Sequence, residues 1–190
     1  GVDERIRRQS LKEGEARTHS GETKAHPHFT PDGLGLLYIR ADGRSDSRLV
    51  MAPLERLDQP STVAVCDGGC GRYDVSRDGR SVYMTTTRPY RRVNTYRDVI
   101  EIPLRVENRR GSGRRLTRGA RFGDPSLSLD GRSLYGVSTT WGQTWVQVID
   151  AITGDPKARW TPPEHARVDA PVPHPDGRRF FASMHHGANR

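Results

Sequence analysis

The chain has no apolar run approaching the roughly 20 residues that a membrane-spanning helix needs, so no membrane insertion is expected. It has two cysteines in 190 residues, Cys66 and Cys70, too few for a four-cysteine zinc site. No stretch sustains a helical period, which the alternating strand–helix units of a parallel sheet would need. The G-x-S-x-G nucleophile elbow, the H-E-x-x-H zinc motif and the G-x-x-x-x-G-K-[ST] phosphate loop are all missing. No catalytic residue and no cofactor are therefore expected, and any catalysis would lie outside residues 1–190. The chain opens GVDERIRRQSL, with neither an initiator Met nor a signal peptide. It reads as an internal stretch of a longer protein, so the missing leader carries no information about location.

What is present points to β-structure. Hydrophobic residues make up 33% and charged residues 28%, and the apolar ones gather into short runs separated by turn residues. Twenty glycines and 13 prolines supply the turns. The net charge of +8 comes largely from paired arginines: Arg7-Arg8, Arg91-Arg92, Arg109-Arg110, Arg114-Arg115 and Arg178-Arg179. Most fall at expected turns or strand edges, where charge discourages edge-to-edge pairing. Positive charge also attracts nucleic acid, but single-strand platforms interleave aromatics with basic residues. Only the stretch from Tyr90-Arg91-Arg92 to Tyr96-Arg97 comes near that pattern. We assign it to a long turn, and no nucleic-acid partner is expected.

Four segments repeat: HPHFTPDGLGLLYIRA from His26, RYDVSRDGRSVYMTTT from Arg72, DPSLSLDGRSLYGVST from Asp124 and APVPHPDGRRFFASMH from Ala170. Their Asp-Gly pairs are Asp32-Gly33, Asp78-Gly79, Asp130-Gly131 and Asp176-Gly177, spaced 46, 52 and 46 residues apart. Glycine accepts the positive φ of a tight turn, and Pro31 and Pro175 preset φ one position before the aspartate. A short strand enters each turn and an apolar strand leaves it, as in Leu36-Leu37-Tyr38-Ile39. A third strand (Arg48–Met51, Asp98–Ile102, Trp145–Ile149) and a more polar fourth follow. Four short strands in about 40–50 residues make one propeller blade.

The pattern P-x-x-S-P-D-G before an apolar strand resembles the TolB-like, WD-repeat-like propeller repeat. The third unit is nearest, with Arg115-Leu116-Thr117-Arg118-Gly119 and then Asp124-Pro125-Ser126-Leu127-Ser128-Leu129-Asp130-Gly131. The second departs most, with Tyr73 at the proline position and Arg77 before the aspartate. The resemblance implies an all-β fold, a β-propeller fragment of about four blades with four antiparallel strands each. We expect a single domain over residues 1–190: a half-blade at about 4–20, blades at about 25–66, 71–118 and 121–161, and a half-blade at 168–190. The two halves either pair into one blade or belong to a longer parent, whose remaining blades the resemblance favours as neighbours.

In a propeller the first strand of each blade lines the central axis. Alternation along it assigns Phe29, Val75, Leu127 and Pro173 to packing between blades. The opposite parity places His26, His28, Arg72, Asp74, Asp124 and Ser126 at the channel mouth as candidate binding residues. Ring-to-ring hydrogen bonding is the competing role for them. A metal at His26, His28 and Asp124 lacks any fixed ligand spacing, and none is expected. His185-His186 read as an exposed loop pair, Asp42–Asp46 as a hairpin rather than a calcium loop, and Trp141, Trp145 and Trp160 as packing of the third blade. A tryptophan exposed at a rim would instead be a binding anchor.

The Asp67-Gly68-Gly69 spacer lets the Cys66 and Cys70 sulfurs meet. Closing so short a loop adds about 2 kcal/mol on chain-entropy grounds; two free thiols are the alternative. A disulfide implies an oxidising compartment, periplasmic or extracellular. The resemblance implies a non-catalytic scaffold of the bacterial cell envelope that binds a protein or peptide partner. It also allows the substrate-gating propeller of a larger prolyl-oligopeptidase-type serine peptidase.

Overall fold

The short apolar runs become antiparallel strands, and no helix occurs among the described residues. The computed structural model describes residues 6–9, 16–19, 23–41, 47–66, 69–90, 94–104 and 113–186, with the backbone alone for 6–9, 16–19, 23–25, 41, 89 and 90. Strand β1 (Ile6–Gln9) pairs with β2 (Ala16–His19). The first four-stranded sheet is β3 (Thr23–Phe29), β4 (Gly35–Ala41), β5 (Ser47–Pro53) and β6 (Ser61–Cys66), in that order. The second is β7 (Cys70–Val75), β8 (Ser81–Tyr90), β9 (Asn94–Pro103) and β10 (Arg114–Arg115). The third is β11 (Phe122–Leu127), β12 (Ser133–Thr140), β13 (Gln143–Asp150) and β14 (Pro156–Trp160). Strands β15 (Ala166–Pro173) and β16 (Phe180–His186) form a final pair. The first strands of neighbouring sheets touch, β3 with β7, β7 with β11 and β11 with β15. This is the radial arrangement of propeller blades.

One turn design closes every first hairpin. The hydroxyls of Thr30, Ser76 and Ser128 donate to Asp32, Asp78 and Asp130 at 2.5, 2.6 and 2.6 Å. The same hydroxyls accept from the N–H groups of Gly35, Ser81 and Ser133 at 2.8, 2.9 and 2.9 Å. Each aspartate also accepts the N–H two residues on, at 3.0 Å in all three turns. The hydroxyl first, and that N–H next, hold these three carboxyls below their ordinary pKa. Gly33, Gly79, Gly131 and Gly177 take φ of +71°, +66°, +70° and +68°. In the fourth turn His174 replaces the hydroxyl residue, and its Nδ1 accepts from the Asp176 N–H at 3.2 Å.

The core lies between the sheets. Leu37, Ile39 and Leu49 meet Val82, Met84 and Ile100 between the first and second sheets. Tyr83 and Val99 meet Phe122, Leu134 and Ile149 between the second and third. Tyr135, Val146 and Val168 continue the series toward β15. Burying each such side chain contributes about 1.5–3 kcal/mol. Alternation along β4 and β5 serves two faces, because Leu36, Tyr38, Val50 and Ala52 form a separate cluster. At Gly136 the sheet packs so tightly that a Cβ would stand 2.0 Å from the Phe122 ring.

Five expectations need correction. Phe29 is 68% exposed rather than packed between blades. It pairs with Leu36 and so faces away from the second sheet, where no described side chain covers it. Trp141 is 93% exposed and Trp160 is also exposed, because the first caps a hairpin tip and the second lies on the outermost strand. The expected long turn is mostly strand: β8 and β9 pair as far as Tyr90 opposite Asn94, while residues 91–93 lie outside the described residues. His185 and His186 belong to β16, not a loop, and His185 lies 3.5 Å from Asp169. Strict alternation along the first strands also fails, as described next. The Asp42–Asp46 hairpin and the Asp67-Gly68 part of the spacer fall outside the described residues.

Candidate functional site

Every first strand carries one extra residue. The register slips between Ala25 and His28, Cys70 and Tyr73, Gly123 and Ser126, and Asp169 and Val172. Each slip is a β-bulge, the place in a sheet where proline's missing N–H is tolerated. Pro27, Pro125 and Pro171 sit in three of the bulges, and the residues before them, His26, Asp124 and Ala170, take φ of +55°, +49° and +46°. In the second sheet Tyr73 replaces proline, pairs with Met84 in the ladder, and the bulge moves back to Gly71-Arg72. The bulges, not simple alternation, set which side chains reach the axis.

The six candidate residues His26, His28, Arg72, Asp74, Asp124 and Ser126 line one cavity of about 220 Å³. Tyr73 and the segment Ala170–Val172 complete its wall. The cluster is cross-linked between blades. Arg72 Nε lies 3.2 Å from Asp124 Oδ1. The Asp74 carboxylate accepts from the N–H of Leu127 at 2.7 Å and of Val75 at 2.8 Å. The Tyr73 hydroxyl donates to the His26 carbonyl at 2.6 Å, and its ring lies 4.8 Å from the His28 ring. Burial pushes the Tyr73 phenol far above its ordinary value, so it stays a neutral donor. Arg72, Asp74 and Asp124 thus join neighbouring blades while bordering the cavity.

A second cavity of about 300 Å³ shares His26, Arg72 and Asp124 with the first and adds Arg97 and the run Thr85–Thr87. Cys70 and Gly71 also border it. Cys66 and Cys70 are bonded to each other, with their Cα atoms 5.2 Å apart. The Cys70 N–H donates to Ser47 Oγ, tying the connector between the first two sheets to β5. Sequence reasoning missed Arg97 and the threonines because it sought site residues only on the first strand of each blade, whereas Thr85–Thr87 lie on β8 and Arg97 on β9. Tyr73 was noticed only as a departure from the motif; its bulk where proline is usual was the available signal. Among the described residues no group of three His, Cys, Asp or Glu could hold a metal ion. No helix among them is long and apolar enough to cross a membrane.

Comparison with known proteins places the fold. No family model matches the chain, and no curated protein matches it. Among solved structures, TolB from Acinetobacter baumannii superposes over 97% of this chain and 44% of its own, with a TM-score of 0.73 at 16% identity. A protein assigned as TolB from Agrobacterium tumefaciens matches over 92% and 59% of the two chains, with a TM-score of 0.69 at 20% identity. A prolyl endopeptidase matches over 93% of this chain and 28% of its own, with a TM-score of 0.64 at 12% identity. The chain therefore spans about half the length of the TolB structures it resembles. The fold is a TolB-like β-propeller architecture.

Proposed function

We propose that this chain is part of a single propeller domain acting as a non-catalytic, protein-binding scaffold of the bacterial cell envelope, periplasmic or extracellular. The cavity ringed by His26, His28, Arg72, Asp74, Asp124 and Ser126 is where a partner peptide would be received. The observation that carries this reading is that four successive blades bring inner-strand residues to one cavity, with charged groups fixed by inter-blade bonds. Such a site is preorganised, so little ordering cost falls on the receptor when a peptide binds. The Cys66–Cys70 bond supports an oxidising compartment.

The test is affinity capture from an envelope extract with the wild-type chain and with Ser126→Trp. This variant fills the cavity without removing the Arg72–Asp124 or Asp74–Leu127 links. Loss of a captured partner supports the reading; equal capture by both chains removes it. The likeness to a prolyl endopeptidase favours a second reading, the gating propeller of a larger serine peptidase. A G-x-S-x-G domain in the same coding sequence would decide for that alternative.

A further inference from the structure

Trp141 and Gly142 form the two-residue turn between β12 and β13, since Thr140 pairs with Gln143. Their φ angles are +50° and +80°. A turn with both central residues left-handed favours Asn-Gly or Asp-Gly, and a bulky aromatic is a poor choice at its first position. The indole gains nothing in return from packing, being 93% exposed. Strain with no structural return is a mark of function.

The turn borders a cavity of about 480 Å³, separate from the channel mouth. Its opposite border is the connector from Thr161 to His165, which leads from β14 to β15. That connector contains Pro162-Pro163 and a second strained residue, His165, at φ +64°. Trp145 also lines the cavity, with the Arg159 guanidinium 4.0 Å from its ring centroid. Two tryptophans and two prolines thus line one depression, whose charged residues are Arg159, Arg167 and Glu164. One carboxylate against two guanidinium groups leaves positive charge in excess.

We propose that this depression is a docking site for an extended, proline-containing peptide segment of acidic character. Aromatic-lined grooves read proline-rich segments because the polyproline II form is already extended and loses little freedom on binding. An exposed tryptophan beside arginines has the composition of a binding hot spot. The excess of arginine over carboxylate selects acidic residues in the segment. An indole with both faces in solvent suits a chain that lies along it better than a small ligand resting on one face.

The experiment titrates the 190-residue chain with a fluorescein-labelled 12-residue peptide of repeating Pro-Pro-Glu, following anisotropy and tryptophan emission. Trp141→Asn keeps the left-handed turn and removes the indole. The wild type should bind saturably, and Trp141→Asn should weaken binding by about tenfold or more with an unchanged or raised melting temperature. A peptide with alanine in place of proline should bind at least about tenfold more weakly. Arg72→Ala should leave this binding unchanged, which separates the site from the channel mouth. No saturable binding, equal binding by Trp141→Asn, or equal binding of the alanine peptide would each overturn the proposal. So would tighter binding of a 12-nucleotide oligo(dT) that depended on Trp141, because the indole would then be a base-stacking platform.

Discussion

The two faces of the propeller differ in how they make the chain turn. On the face formed by the Asp-Gly hairpins and the loops between third and fourth strands, every described residue with positive φ is a glycine: Gly33, Gly79, Gly131, Gly154 and Gly177. Along the inner strands and at the opposite end of the blades, the non-glycine residues His26, Arg121, Asp124, Trp141, His165 and Ala170 also take positive φ. Arg121, Trp141 and His165 stand in turns and connectors of that end, and His26, Asp124 and Ala170 in the bulges of the inner strands. Left-handed backbone in a residue with a Cβ costs about 1–3 kcal/mol and persists only where neighbours over-determine it. The turn face is therefore built to close hairpins cheaply and identically. The mouth side holds particular side chains in place against a cost, as the proposed binding role would require.

The largest test of that contrast is at Asp98, whose buried carboxylate fixes the mouth-face connector between the second and third sheets. It pairs with Arg115, accepts from the Thr117 hydroxyl at 2.9 Å, and accepts from the N–H groups of Gly119 and Ala120 at 3.1 and 3.2 Å. Asp98→Ala strands these donors and a half-buried arginine, and should cost about 3–5 kcal/mol in chemical denaturation. A loss under about 1 kcal/mol would mean that the strained Arg121 segment is held by something else. Next in size is the disulfide beside the second cavity. Cys66→Ser with Cys70→Ser should lower stability by about 2 kcal/mol, and the native thiols should resist alkylation until a reductant is added. Labelling without reductant would show that the connector is not stapled. On the turn face, Gly131→Val should cost more than about 1 kcal/mol, because a β-branched residue resists φ of +70°. An unchanged denaturation midpoint would contradict the glycine-only character of that face.

The same contrast explains what could be read from the sequence. The turn face was legible because its chemistry is local: Asp-Gly, the residue before it and the apolar strand after it lie within ten positions and recur. The inner-strand candidates were legible for the same reason, since they stand at a fixed offset from those turns. The bulges were not anticipated, although Pro27, Pro125 and Pro171 marked them, because alternation was applied without asking where a proline's missing N–H is tolerated. Trp141 was assigned to the core because an aromatic near a strand usually packs, and its turn needed both the Thr140–Gln143 register and Gly142 to be recognised. Asp98 gave no signal at all. Its partners are Arg115 on β10 and Thr117, Gly119 and Ala120 on the connector after it, about twenty residues away, and no motif joins them to Asp98.

Acid is the mildest test, because it acts on the turn face through groups whose shift has a known direction. The carboxyls of Asp32, Asp78 and Asp130 are held below their ordinary value by the turn hydroxyls and backbone N–H groups. In the unfolded chain an aspartate titrates near about 3.9. A carboxyl whose pKa is lower in the folded state stabilises that state fully above this value, and the contribution disappears as pH falls through the lower folded value. All three groups are exposed to solvent, so the effect is small for each and weakened further by salt. The denaturation midpoint should be flat from neutrality to about pH 5 and decline below about pH 4. Asp78→Asn with Asp130→Asn keeps the acceptor oxygen and removes the titration, so the variant should lose less stability over that acid range than the wild type. Parallel losses would show that Asp78 and Asp130 serve as neutral-equivalent turn formers, and that their charge contributes nothing to folding.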